Sequence, residues 1–176
     1  MIHLLRQRRS IRKFASNPIE KEKLEILAEA VLRSPSSKNS NPWEFIFFDD
    51  PDLLASLSQS KPHGAAFLRN APLAVVVLAD ETKGDVWVED CSIASIILQL
   101  TAQSLGLGSC WVQIRERFYS ETLSSEQYIQ QLLKLPNTLK VLSMIAIGYP
   151  DQTRDGKPFE ELQQQKIHHN GFPSVE

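Results

Sequence analysis

Between residues 88 and 105 (VEDCSIASIILQLTAQSL) apolar side chains fall at Val88, Ile93, Ala94, Ile96, Ile97, Leu98, Leu100, Ala102 and Leu105. At helical periodicity they point to every side, the pattern of a helix enclosed on all faces or set in a membrane. Glu89, Asp90, two glutamines and four hydroxyl residues argue against a bilayer, where such groups are costly. The stretch predicts the central buried helix of a soluble domain. Gly106 supplies a left-handed stop, and residues 109–114 read as an apolar strand directly after it.

The remaining pattern fills in around that helix. Residues 2–9 predict a short helix with Ile2, Leu4 and Leu5 on its apolar side. Residues 19–33 place Leu24, Leu27, Ala28, Val31 and Leu32 on one stripe, and Ser34-Pro35 ends that helix. Residues 44–49 form an aromatic-rich strand, and Asp50-Pro51 opens a short helix as N-cap and first residue. Residues 59–70 are a polar linker with a short helix, the least determined part of the chain. The run PLAVVVLA (72–79) is a central strand, and residues 80–86 are a turn. Ser124-Ser125-Glu126-Gln127 reads as a capping box. It opens a helix to about residue 134, with Tyr128, Ile129, Leu132 and Leu133 inward and Pro136 closing it. Residues 140–148 are another apolar strand. The tail, 149–176, has too few apolar residues to fold alone, so it is disordered or packs on another surface. There is no internal repeat, and the class is a three-layer α/β or α+β sandwich.

At 176 residues the chain is most simply one domain, spanning 1–176 with 150–176 as a C-terminal arm. Such a length buries about 70% of the unfolded surface, enough to need no metal or disulfide staple. A net charge of −2 favours neither a bulk nucleic-acid nor a membrane role, but its distribution is uneven. Arg6, Arg8, Arg9, Arg12 and Lys13 crowd into residues 6–13 without an acid; set aside, they leave 14 cations against 21 acids, a remainder of −7. The acid-free first 19 residues share the composition of an organelle transit peptide, yet they run without a spacer into an ordered helix. No secretory signal is expected. Cys91 and Cys110 lie in apolar surroundings without CxxC spacing and suit buried thiols in a reducing compartment.

Two polar segments invite a chemical reading. In RRSIR (8–12) two guanidinium forks and a hydroxyl suit a phosphate dianion, with Arg8 and Arg12 sharing a face if the segment stays near-helical; a solvated basic end is the plainer account. The loop PSSKNSNPW (35–43) is stiff, without glycine, and rich in hydroxyl and amide groups. It suits the edges of a planar heterocycle or a sugar-like tail, or else it only caps local backbone. Other constellations fail. Gly106-x-Gly108 lacks a third glycine and follows a helix rather than a strand. His168-His169 are adjacent and have no third ligand at suitable spacing, so no metal is expected. No G-x-S-x-G occurs, and Cys110 reads as a core thiol. An enzyme with so little acid–base machinery takes its reactive atoms from a cofactor. A nucleic-acid-binding arm would need aromatics beyond Phe14.

Three segments occur in a fixed order: RRSIRKF (8–14), SPSSKNSNPWEF (34–45) and LGLGSCW (105–111). With IAIGYP (145–150) and GKPFEEL (156–162), the chain resembles the FMN-dependent nitroreductase family in its short form, least so over 59–70. The resemblance implies an α+β fold: a three-layer α/β/α sandwich with a mixed, mostly antiparallel central sheet, dimeric, its C-terminal tail wrapping the partner. It implies a homodimer with two FMN molecules in the interface. Arg8, Arg9, Ser10 and Arg12 would grip the phosphate, ribityl chain and pyrimidine edge, and Lys157 would complete the neutralisation. Pro35, Ser36, Ser37 and Asn39 would reach FMN bound mainly by the other subunit. Trp111, Gln113 and Ile114 would lie along the isoalloxazine, a backbone N–H near Gln113 or Ile114 facing N5. Asn41 stands where the family more often has Gln. The implied activity is cytoplasmic: NADH or NADPH reduces the flavin, and a nitroaromatic, quinone or similar small acceptor is reduced in turn, with no side chain as acid or base. A flavin oxidase or dehydrogenase acting on another substrate, and a flavin-binding module without turnover, are the rival readings.

Overall fold

The computed structural model describes residues 1–172; positions 173–176 of the arm lie outside the described residues. Along the chain come α1 (Ile2–Gln7), α2 (Lys21–Leu32), β1 (Trp43–Phe48), α3 (Pro51–Leu57), β2 (Leu73–Asp80), α4 (Trp87–Ser104), β3 (Gly108–Gln113), α5 (Ser125–Leu133) and β4 (Leu139–Gly148). The sheet order is β1-β2-β4-β3, and all three pairings are antiparallel, with Val75 opposite both Phe47 and Ile145. A parallel bridge between Ser10 and Ser109 adds the mixed character beside β3.

The alternation along β2 builds the two cores. Successive side chains of a strand point to opposite faces. Leu73, Val75, Val77 and Ala79 pack with Leu27 and Val31 of α2 and with Cys91, Ala94, Leu98 and Ala102 of α4. Ala74, Val76 and Leu78 pack on the other side with Leu54 and Leu57 of α3 and Ile129 of α5. A strand apolar on both faces is a strand covered on both faces, so the sheet is the middle of three layers. Leu68, in the short turn Ala66–Asn70, fills the second core and gives the polar 59–70 region its fold.

Helix ends follow local chemistry. Asp50 Oδ1 accepts from the N–H groups of Asp52 and Leu53 at 3.0 and 2.9 Å, and Pro51 leads α3. Ser124 and Gln127 close the capping box of α5. Lys134 ends that helix in the left-handed conformation, two residues ahead of Pro136. At the end of α4, Gly106 (φ +77°) allows the Leu107 and Gly106 N–H groups to reach the Ala102 and Gln103 carbonyls, a Schellman stop.

Three expectations are corrected. Helix α4 is not enclosed on every side: Ile93 and Ile96 are 40% and 38% exposed. On α2, Leu32 points outward at 63% exposure, because the helix packs on α4 and the core through Leu27 and Val31. On α5 Ile129 alone of the four apolar residues is fully enclosed; Tyr128, Leu132 and Leu133 lie at the core's rim.

The N-terminal arm is sewn to the sheet. Ile11 N–H donates to the Ser109 carbonyl, Ala15 N–H to Tyr149 and Asp151 N–H to Lys13, each at 2.9 Å. Helix α1 therefore stops at Gln7, and Arg8 is extended (φ −59°, ψ 128°). Six uncapped residues propagate weakly as helix, and pairing with Ser109 draws the chain straight. Arg8 and Arg12 consequently do not share a helical face. The arm lies so close that a Cβ on Gly108 would sit 2.8 Å from Ile11 Cβ, and one on Gly156 would collide with the Arg6 carbonyl. Gly108→Ala is expected to destabilise the fold by about 1–3 kcal/mol through this overpacking. Gly171→Ala, whose new Cβ would meet nothing within 4 Å, is expected to leave it unchanged. Urea unfolding of the two variants beside the parent checks this.

Candidate functional site

Folding of the arm along the sheet brings the two ends of the chain together. Arg8 and Arg9 line one wall of an open cleft of about 800 Å³, and Arg154 and Lys157 line the other, with Asp155 and Glu161 as its acids. Arg9 Nη1 donates to the Asp155 carbonyl oxygen, which ties arm to tail. Four cations against two carboxylates leave a local surplus of positive charge, which repels itself and favours an anion. The donor set is mostly guanidinium, whose planar fork matches phosphate oxygens. The cleft suits the dianionic phosphate tail of a nucleotide-like cofactor.

Ser10 and Arg12 continue the arm toward β3. The Arg12 guanidinium lies over the Phe67 ring, 5.9 Å from its centre. Beneath it, Cys110 is 1% exposed. Burial pushes this thiol up, against the opposing pull of Arg12, a Ser10 hydrogen bond, Lys61 and Arg154.

β3 is an outer strand, so alternate backbone groups face away from the sheet. Ile114 N–H donates to the Leu142 carbonyl at 3.2 Å, and the Ile114 side chain is fully buried. The N–H of Gln113, one residue earlier, therefore points outward. Side chains beside it are held in a chain of bonds: Trp111 Nε1 donates to Gln113 Oε1, and Gln113 Nε2 donates to the Arg115 carbonyl, both at 2.9 Å. Lys61 Nζ donates to the Gln113 carbonyl at 3.0 Å. Burial first, and then the Arg117 charge, push the Lys61 ammonium below the usual lysine range.

The loop holding Pro35, Ser36, Ser37 and Asn39 is rigid through its own contacts. Ser36 Oγ donates to Asn41 Oδ1 and accepts from the Asn41 N–H, both at 2.9 Å. The short amide of Asn41 thus closes the loop on itself. Lys38, Asn39 and Asn41 all adopt positive φ, a conformation that asparagine tolerates better than most residues. Ser37 N–H donates to Asp90 Oδ1 at 2.9 Å. Around it Ser40 Oγ, Trp43 Nε1 and Asp90 Oδ2 are buried without a hydrogen-bond partner among the described residues. Asp90 stands in the first turn of α4, whereas the Ser10–Ser109 bridge follows the far end of that helix. A helix of this length spans roughly 27 Å. Within one protomer the arm and the loop do not meet.

Arg8, Arg9 and Lys157 are thus brought together; Ser10, Arg12, Trp111 and Gln113 adjoin them along β3; Pro35, Ser36, Ser37 and Asn39 stand apart; Ile114 is internal. Sequence reasoning missed Lys61, Arg154 and Arg117. Lys61 hid in a linker of no clear periodicity. Arg154 had a signal in the charged run TRDGK (153–157), of which only Lys157 was singled out.

A sequence model described as the Nitroreductase family matches residues 5–61 and 53–149, and the chain belongs to that family. An FMN-dependent nitroreductase from Clostridium difficile superposes with a TM-score of 0.96 at 46% identity, covering 98% of this chain and 100% of that one. A protein of Archaeoglobus fulgidus, provisionally named NADH dehydrogenase/NAD(P)H nitroreductase, is 34% identical across 88% of this chain and 87% of its own. The FMN reductase [NAD(P)H] of Bacillus subtilis is 26% identical across 96% and 72%. Among the described residues no helix is long and apolar enough to cross a membrane.

Cys110 and Cys91 are buried and free; burial and then the neighbouring Asp90 push the Cys91 thiol up to about 12. Both are expected to resist a thiol-specific reagent at pH 8 in the folded protein, since the thiolate is the reactive form, and to react on unfolding. Rapid labelling of the native protein, followed by mass spectrometry, would contradict this.

Proposed function

We propose that the protein is an FMN-dependent oxidoreductase that moves electrons from NADH or NADPH to a nitroaromatic, quinone or similar small acceptor. The observation that carries the reading is the convergence of Arg8, Arg9, Arg154 and Lys157 on one cleft. In this reading the cleft holds the phosphate, Ser10 and Arg12 hold the ribityl chain and pyrimidine side, and Trp111 and Gln113 flank the ring. Because the Ile114 N–H is engaged with Leu142, the outward N–H of Gln113 is the donor assigned to the flavin edge, and Ile114 supports it from within. FMN, when bound, supplies the redox chemistry. The chain supplies position and charge: guanidinium forks fix the anionic tail, and the bond network through Trp111, Gln113 and Lys61 sets the wall beside the ring.

The functional unit is a homodimer. Ile93 and Ile96, one turn apart on α4, remain exposed, and exposed apolar side chains so placed fit an interface. A second copy lays its Ser36–Asn39 loop against the flavin held by the first, which joins the two groups that one protomer keeps apart. The C-terminal arm, 150–176, leaves Phe159, Leu162, Ile167 and Phe172 exposed; these are its contacts on the partner, so 1–176 acts as one FMN-binding domain completed by its twin. The two free thiols suit the reducing cytoplasm.

The purified protein is expected to show the absorbance of bound oxidised flavin. Arg9→Ala and Lys157→Ala are each expected to weaken FMN binding about tenfold or more, since a charge-assisted hydrogen bond is worth about 1.5–3 kcal/mol. Arg12→Ala is expected to lower flavin content more than Cys110→Ala does. Full retention of tightly bound flavin by all three arginine and lysine variants would sink the phosphate assignment. Sedimentation is expected to give a dimer for the parent and a monomer for Ile96→Asp.

A further inference from the structure

Residues 35–41 are tied to the rest of the molecule by very little. Asn39 N–H donates to the Ser36 carbonyl at 3.2 Å and Ser40 N–H to the Ser37 carbonyl at 3.0 Å, and the Ser36–Asn41 pair closes the ring. These bonds all stay inside the loop. Among the described residues one hydrogen bond leaves it, from the Ser37 N–H to Asp90 Oδ1 at 2.9 Å, across 53 residues of chain.

The acceptor is an uncommon group for such a place. Asp90 is 4% exposed and among the described residues joins no ion pair, and its second oxygen has no hydrogen-bond partner there. A carboxylate removed from water is costly when so little surrounds it. The first turn of the 18-residue α4 offsets part of that cost, since the positive end of a helix favours an anion. A charged acceptor also holds an N–H more strongly than a neutral one does. The one bond this carboxylate makes outside its helix is the bond that fixes the loop. The tether sits where it has most leverage. Ser36 before it is extended (φ −139°, ψ 157°) and Lys38 after it is left-handed (φ 52°), so the chain reverses at Ser37. On the far side the turn ahead of α4 backs the loop, where a Cβ on Gly84 would lie 3.5 Å from Ser40 Oγ.

We propose that Asp90 is a positioning residue for the cofactor site of the neighbouring subunit: it holds the Ser36–Asn39 loop in the shape that meets the flavin seated on the other copy. The proposal rests on the reading that builds each site from the arm of one subunit and the loop of its twin. Asp90 acts through Ser37 and takes no part in the chemistry.

The test uses the full-length protein, stripped of flavin and titrated with FMN. Asp90→Ala is expected to weaken FMN binding about tenfold, the effect of one charged hydrogen bond. Trypsin is expected to cut after Lys38 several times faster in this variant, with its other cuts unchanged. Asp90→Asn, whose side-chain carbonyl still accepts from Ser37, is expected to recover most of both losses. The decisive species is a mixed dimer of an Arg9→Ala subunit with an Asp90→Ala subunit, co-expressed and isolated through two affinity tags. One of its sites carries both defects and the other carries neither. Half of its sites are therefore expected to bind FMN with parent affinity, which neither homodimer does; a purely structural part for Asp90 inside its own subunit gives no such recovery. Should Asp90→Ala fail to fold, Ser37→Pro replaces it, with Ser37→Ala as reference. Both lose the hydroxyl, only the proline loses the N–H, and an extended Ser36 accepts a following proline. Parent affinity in the Asp90→Ala homodimer overturns the proposal. So does a mixed dimer without recovery when an Asn39→Ala subunit paired with Arg9→Ala does recover. Failure of both pairs brings down the shared site beneath the proposal, and a parent that takes up no FMN brings down the flavin reading as well.

Discussion

The contact between the N-terminal arm and the end of the sheet governs the rest of the molecule. Backbone passes backbone there with no room for a side chain on Gly108 or Gly156, and the resulting hydrogen bonds hold the arm extended. The cations of residues 8–12 would otherwise belong to a flexible end. Fixed in place, they face Arg154 and Lys157, whose own segment is pinned by the same approach. Charge that is unfavourable when concentrated is thereby held in place by the fold, so that an anion would meet donors already ordered.

The central helix serves a second constraint. Its inward side fills one core through Cys91, Ala94, Leu98 and Ala102, and its first turn steadies the Ser36–Asn39 loop through Asp90. Its outward side keeps Ile93 and Ile96 exposed among the described residues. The same element thus packs the fold and presents the loop.

Much of this was legible in the chain. The continuous apolar run PLAVVVLA and the breakers around it identified β2, and Asp50-Pro51 and Ser124–Gln127 marked their helices because capping is a local matter. Periodicity could not say how many faces of α4 are covered, since burial depends on what neighbours supply. It failed similarly for Leu32, which has the right spacing but lies beside the packed Leu27–Val31 side of α2 and stays exposed. Convergence of the cations was sensed for the wrong geometric reason: the expected helical face of Arg8 and Arg12 is absent, and a crossing with the tail takes its place. Lys61 was invisible because its contact with the Gln113 carbonyl crosses 52 residues, which no short motif announces.

The outer strand β1 has a consequence of its own. It pairs with β2 alone, so one row of its amide and carbonyl groups lacks a neighbouring strand, and Phe45 and Phe47 beside it are only half-buried. Six residues of this composition are a template for accretion of foreign chains. Pro42 at one end and Asp49-Asp50-Pro51 at the other act as gatekeepers that shorten it. The unpaired row is thereby held to Trp43–Phe48, which limits how far a stray strand can register against it.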